Sequence, residues 1–330
     1  MLKTLHNEVV FLFNQKIINS KLNDLFSNLS VSLRKHNKTM QILDGIKLAK
    51  EIKQEIKELV QNYKDQGVRV PHLGAILVGS NGASQTYVDN KIKDCHFVGF
   101  ESSELRLPDT ISQEDLIAEI EKWNNDDTLD GFIVQLPLPK HIDQEAVINA
   151  IDPKKDVDGF HPMNFGKMAL EMETFLPATP YGIMEMLERY NIDTAGKHTV
   201  VIGRSRIVGR PMSILMSKNG NPGNSTVTLT HSKTQNLEQF TKEADIVITA
   251  LGVPGFLKAD MVKVGAVIVD VGITRVDDET NPRGFRLAGD VDFDNVKEKA
   301  SWITPVPGGV GPMTRAMLLK NTLLAYNNKK

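Results

Sequence analysis

From Asp44 onward the chain alternates an amphipathic stretch with a short apolar run, and nothing else in the sequence restricts its fold as much. DGIKLAKEIKQEIKELVQNYKDQG has apolar residues at Ile46, Ala49, Ile52, Ile56, Leu59 and Tyr63, an N-cap in Asp44 and a stop at Gly67. That spacing predicts a helix. HLGAILVG then reads as a buried strand and SQTYVDNKIKDCHFVG as a helix ending near Gly99. SQEDLIAEIEKWNND starts on Ser112 with Asp115 three residues on, a helix start, and GFIVQL is a second buried strand. Parallel strands need crossovers, so such alternation implies a parallel sheet covered by helices.

A second unit follows PATPYGIMEMLERYNID. TVVIG, STVTLT, DIVITALG and AVIVDVGI are β-branched apolar runs separated by helical or turn segments, which predicts a doubly wound α/β domain over residues 185–305. The expected division is a first α/β domain at 40–184, this second one at 185–305, and a loop with a final helix at 306–330, GPMTRAMLLKNTLLAYNN, with Pro312 near its start. Periodicity does not say which domain that helix packs on. Residues 1–39 are rich in Asn, Ser and Lys, carry Arg34 as their single arginine, and contain an apolar cluster, VVFLF, too short for a secretory signal. They read as an upstream extension outside the fold, with Met40 as an alternative start.

Composition removes several classes of function. A net charge of −2 over 330 residues gives no steering toward nucleic acid or an anionic membrane surface. No apolar run reaches the roughly 18 residues that span a bilayer, so no membrane partner is expected. Cys95 is the single cysteine, which excludes an intramolecular disulfide and a cysteine-based zinc site; it reads as a reduced buried thiol in a cytoplasmic protein. No metal site is expected.

The first stretch with chemistry in it is GRSRIVGRP, between a strand and a helix. Gly203 ends the strand, Gly209 allows a close helix approach and Pro211 suits the first turn, so backbone amides there can face a pyrophosphate. The glycine pattern alone is weak, because Ser205 stands where G-x-G-x-x-G has its second glycine. At the end of the next strand an NAD site offers a carboxylate to the ribose; here STVTLT runs into His231, Ser232 and Lys233, and Arg204 lies in the phosphate loop. Donors and positive charge suit a 2′-phosphate, so NADP is the expected cofactor.

Three other places lie where open α/β sheets bind ligands, beyond strand ends. VGSNGAS leads into YVDNK, which sets Tyr87 and Lys91 four apart on a helix; VQLPLP places Gln135 among apolar residues; DPKKDVDGFHP holds Asp156 and Asp158 in a loop. Each has an ordinary reading taken singly: a core tyrosine, a solvated lysine, a satisfied glutamine, a turn-forming aspartate.

YVDNK, VQLPLP, DVDGF, GRSRIVGRP, HSKT, GDVDF and ITPVPGGVGPMT, in this order, resemble the bifunctional methylenetetrahydrofolate dehydrogenase/methenyltetrahydrofolate cyclohydrolase family, FolD in bacteria, over residues 40–328. The resemblance implies two α/β domains flanking a cleft, the second a Rossmann domain, usually as a homodimer. It implies NADP-linked oxidation of 5,10-methylenetetrahydrofolate to the methenyl form and hydrolysis of that to 10-formyltetrahydrofolate. By this likeness Lys91 is the catalytic lysine, Tyr87 its neighbour, Gln135 its hydrogen-bond partner and Asp158 the carboxylate that holds the pterin. Val134, Leu136, Pro307, Gly308, Gly309, Val310 and Gly311 fall at folate-contact positions, and Gly203, Arg204, Ser205, Ser232 and Ile273 at cofactor-contact positions. Two departures stand out: Ala178 in PATP replaces a cysteine common in the family, and KNGNPGNSTVT is longer than in many relatives.

Overall fold

The computed structural model describes residues 40–282 and 284–329; the upstream extension expected at 1–39 lies outside the described residues. Helix α1, Gly45–Asp65, starts on the expected cap, the Asp44 carboxylate accepting the Lys47 amide at 2.9 Å. Its buried stripe is Leu48, Ala49, Ile52, Ile56 and Val60; Ala49, Ile52 and Ile56 are as expected, while Leu48 and Val60 take the places given to Ile46, Leu59 and Tyr63. Ile46 is 62% exposed because it sits at the open end of the helix, its side chain lying over the Gly308 backbone.

Strands β1 (His72–Val78), β2 (Glu101–Leu107) and β3 (Gly131–Val134) form a parallel sheet in the order β2-β1-β3. Helix α2 (Gly82–Val98) joins the first two, and α3 (Gln113–Asn124), capped by Ser112 as expected, joins the next. The pleat sends Leu73, Ala75 and Leu77 into the core shared with α1 and α2. Ile76 and Val78 point the other way, onto Leu116 and Ile120 of α3 and Val147 of α4 (Gln144–Ala150). Gly74 lies under the Trp123 indole, which meets Phe132 edge-on at 5.5 Å. A Cβ there would stand 2.5 Å from the indole and 2.9 Å from the Phe132 Cβ. Gly74→Ala is therefore expected to destabilise the fold by roughly 1–3 kcal/mol through overpacking, seen as a lower urea midpoint at unchanged m-value.

Helices α5 (Pro162–Ala169) and α6 (Ala178–Arg189) lead to the second sheet. Its strands β4 (His198–Ile202), β5 (Thr226–Thr230), β6 (Ile246–Thr249) and β7 (Val267–Asp270) are the four apolar runs. Helix α7 (Gly209–Ser217) crosses from β4 to β5, and α8 (Leu237–Glu243) from β5 to β6. A hairpin of β8 (Thr274–Asp277) and β9 (Phe285–Ala288), the short α9 (Phe293–Val296) and β10 (Trp302–Ile303) follow. The order β10-β7-β6-β4-β5 is parallel and reverses direction at β4, which puts the switch-point crevice above the ends of β4 and β6.

The last helix, α10 (Val310–Asn328), returns to pack on α6 and α1. Gly182 allows the close approach, since a Cβ there would lie 2.9 Å from that of Met313. No described helix is long and apolar enough to cross a membrane.

Candidate active site

On α2 the buried face runs through Val88, Lys91, Cys95 and Val98, three or four residues apart. Lys91 thus shares the core-facing stripe, while Tyr87, one turn earlier, flanks it and is 43% exposed. The Lys91 Nζ donates to Gln135 Oε1 at 3.2 Å, and Gln135 Nε2 donates to the Leu136 carbonyl at 2.7 Å, which fixes the amide's orientation. The Gln135 backbone is held in turn by its N–H to the Ile76 carbonyl, 2.9 Å away. Burial pushes the Lys91 ammonium below its usual pKa, and the negative charge of Asp158 opposes this. Cys95 is 1% exposed and burial pushes its thiol up to about 12, so it is an unreactive core residue.

The two aspartates of the DVDGF loop separate clearly. Asp156 is 2% exposed and accepts the Phe160 and His161 amides and the Asn164 side chain at 3.2, 2.8 and 2.9 Å, so it builds the loop. Burial nevertheless raises its pKa to about 6. Asp158 keeps part of its surface open and faces Lys91 electrostatically; burial raises its carboxyl, and the lysine charge draws it back. Val134 and Leu136 line a small recess with Asp158 and Phe160, although the Val134 side chain itself belongs to the core.

The Pro307–Gly311 loop is fixed on several sides. Gly308, at φ 111, gives its carbonyl to the Ile46 amide at 3.0 Å, and a Cβ at Gly309 would lie 2.7 Å from the Pro305 carbonyl oxygen. Val310 is buried in the core, so only its backbone is left to face the cleft. Pro307 is exposed, and a Cβ at Gly311 would touch Ile273 at 3.4 Å, which brings the two expected binding loops together.

At the second sheet, Gly203 has φ 116, and a Cβ there would collide with the Ala250 carbonyl; one at Gly209 would collide with the Gly203 carbonyl. Only glycines let strand end and helix start approach this closely. The Ser205 Oγ accepts the Val208 and Gly209 amides at 3.1 and 3.4 Å, and its carbonyl accepts the Arg210 amide at 3.0 Å. The Gly209 and Arg210 amides at the start of α7 are thereby engaged within the loop by Ser205, three residues before the Val208 N-cap. Arg204, Ser232 and Lys233 remain exposed, the last two on a turn closed by Thr234 Oγ1 accepting the His231 amide at 2.9 Å. Ile273 is 41% exposed beyond β7.

Sequence reasoning missed the support beneath these loops. Asp290, fully buried, accepts the Leu251 and Val253 amides at 2.6 and 2.7 Å. Asp270 accepts the Gly272, Asp290 and Val291 amides at 3.0, 3.0 and 2.9 Å. The signal was present as the acids of VDVG and GDVDF, each an aspartate inside or beside an apolar run. A cavity of about 800 Å³ lies between α4 and α5 on one side and the loop before α7 on the other; Ile148, Phe160, Phe165 and Ile207 line it, and an Arg206–Glu145 ion pair spans it.

A nucleotide-type parallel sheet beside a second lobe, built on a smaller sheet and holding a buried lysine, defines a two-lobed, NAD(P)-binding α/β enzyme. Comparison with known proteins gives the particular family. Residues 43–158 match the model "Tetrahydrofolate dehydrogenase/cyclohydrolase, catalytic domain", and 177–330 its "NAD(P)-binding domain". The chain is 68% identical over 286 residues to the bifunctional protein FolD of Flavobacterium johnsoniae, covering 87% of this chain and 97% of that one. The Campylobacter jejuni FolD crystal structure superposes with TM-score 0.83 at 47% identity, covering 88% of this chain and all of that one (100%). A Trypanosoma brucei methylenetetrahydrofolate dehydrogenase-cyclohydrolase, solved with NADP and an inhibitor, gives TM-score 0.83 at 38% identity over 88% and 98% of the two chains. The chain belongs to the tetrahydrofolate dehydrogenase/cyclohydrolase family.

Proposed function

We propose that the two lobes carry out successive steps on one folate: NADP-dependent oxidation of 5,10-methylenetetrahydrofolate to the 5,10-methenyl form, and hydrolysis of that cation to 10-formyltetrahydrofolate. The observation that carries the reading is the buried Lys91 amine, held by Gln135 and facing Asp158. Hydride loss leaves a resonance-stabilised cation and needs no strong acid or base, so this chain's task in the first step is to hold the folate carbon in line. Bound NADP supplies the hydride acceptor.

The residues present fit that cofactor. The Gly203–Gly209 approach shapes the loop, Arg204 and Ser232 offer charge and a donor, and Ile273 gives an apolar wall. Arg204→Ser is expected to raise the KM for NADP by roughly tenfold or more, the usual size of a lost charge-assisted hydrogen bond, with the KM for NAD little changed. Equal losses for both cofactors would place Arg204 away from the 2′-phosphate.

In the second step water adds to the methenyl carbon and sheds a proton, after which the bond from that carbon to N5 breaks, N5 takes up the hydroxyl proton and the formyl group stays on N10. A lysine kept partly neutral by burial accepts at Nζ the proton that the water sheds, and Gln135 Oε1 orients the amine. Tyr87 borders the entrance, Asp158 pairs with adjacent N–H groups of the aminopyrimidine ring, and the Val134–Leu136 and Pro307–Gly311 segments form the walls. A homodimer in the cytoplasm completes this reading. The direct test supplies methylenetetrahydrofolate with NADP or with NAD, and methenyltetrahydrofolate alone. NADP reduction and consumption of the methenyl absorbance are both expected; a methenyl signal decaying no faster than in buffer would remove the second activity.

A further inference from the structure

Asn321 lies midway along α10, is 1% exposed, and has no part in the mechanism above. Its Nδ2 donates to two carbonyls far away in the chain, Val157 at 2.8 Å and Leu176 at 2.9 Å. Val157 immediately precedes Asp158. Leu176 belongs to the segment whose Ala178 amide donates to the Asp158 carbonyl at 3.3 Å.

These two segments meet backbone to backbone. Gly159 has φ 74, and a Cβ on it would lie 2.6 Å from the Leu176 carbonyl carbon and from the Pro177 nitrogen. No side chain separates them, so their spacing is set by the Ala178–Asp158 backbone bond and by the donor that bridges them. One buried amide using both its hydrogens does this from a third element, and that element is the helix whose first residues form the Pro307–Gly311 loop. The two walls assigned to folate are therefore referenced to one rigid body.

We propose that Asn321 is a positioning residue for folate binding, acting through Asp158 by holding the backbone on either side of it. The proposal rests on the assignment of Asp158 to the pterin. Displacements on the order of 1 Å at a bidentate contact cost up to about a hundredfold.

Asn321→Ala, Asp158→Asn and the double variant are compared by the KM for methylenetetrahydrofolate and the KM for NADP in the dehydrogenase assay. Thr322→Val serves as a control: Thr322 is equally buried on the same helix, but its hydroxyl bonds only back to Leu318 at 2.8 Å. The expected result for Asn321→Ala is a folate KM raised about tenfold or more, with the NADP KM unchanged, and little further effect once Asp158 is Asn. Thr322→Val should leave both KM values near wild type. An unchanged folate KM, an equal effect in both backgrounds, or the same loss in Thr322→Val overturns the proposal. If Asp158→Asn alone leaves folate KM unchanged, the pterin assignment itself has failed; if it weakens folate while Asn321→Ala does not, only the role of Asn321 has. Should Asn321→Ala not fold, Asn321→Ser, which keeps one donor, is put through the same comparison and judged by the same outcomes.

Discussion

Lys91→Met is expected to lose hydrolysis of methenyltetrahydrofolate by at least about a hundredfold in kcat, the usual worth of a positioned proton acceptor, while its affinity for NADP stays at the wild-type level. Methionine fills nearly the same volume without the amine. Lys91 is buried among Val88, Cys95 and Val98, so the substitution removes a desolvated charge without opening a cavity. The group it leaves unpaired is Gln135 Oε1, on a half-buried side chain whose amide stays held by the Leu136 carbonyl. Hydrolysis at the wild-type rate in a folded Lys91→Met would remove the mechanism. The pH dependence has a definite sign. Burial lowers the Lys91 pKa from 10.5, so the neutral, proton-accepting form gains as pH rises through that lowered value, and the cyclohydrolase rate rises with it. The limb should vanish in Lys91→Met. The same shift acts on stability: protonating Lys91 is disfavoured in the folded state, so the cost of burying it is absent above 10.5, grows as pH falls toward the lowered value and is constant below it. Wild type should therefore gain on Lys91→Met as pH increases.

Asp158→Ala should act chiefly on the folate. A carboxylate paired with two adjacent N–H groups forms two charge-assisted hydrogen bonds, and losing both is expected to raise the KM for methylenetetrahydrofolate by roughly a hundredfold. The NADP KM should hold, because Asp158 lies beyond β3, on the lobe away from Gly203 and Ser232. Asp158→Ala also withdraws the charge that opposes the effect of burial on Lys91, so any residual cyclohydrolase pH limb should move to lower pH. Unchanged folate affinity would count against the pterin assignment, and an unmoved limb against the electrostatic coupling.

What the sequence made legible followed from periodicity and covalent geometry. The apolar runs are buried strands, and Asp44 and Ser112 cap the helices they precede. The paired aspartates of DVDGF were visible as candidates but not as different things. Only the three donors gathered on Asp156 show that it, and not Asp158, builds the loop. ESSELRL was missed as a strand because β2 pairs only with β1 in its sheet and has no fully buried residue, so its alternation is too polar to read. Asn321 was invisible for a related reason. Between Lys320 and Thr322 it looks like part of a polar helix face, yet α10 is buried on several sides and the Asn321 amide meets backbone carbonyls rather than water. Ser205 was legible as part of a phosphate loop, but its partners are set by the turn geometry, which no spacing rule conveys.

The return of α10 to the first lobe also sets a timetable. The Tyr326 hydroxyl reaches the Arg69 carbonyl, a partner 257 residues earlier in the chain. During synthesis the strands between His198 and Ile303 emerge together and can pair as soon as they leave the ribosome, whereas α1 and α6 wait with apolar faces uncovered until the last helix arrives. The core of the first lobe is thus closed only when the chain is complete, by the same helix whose first residues, Val310 and Gly311, end the Pro307–Gly311 loop.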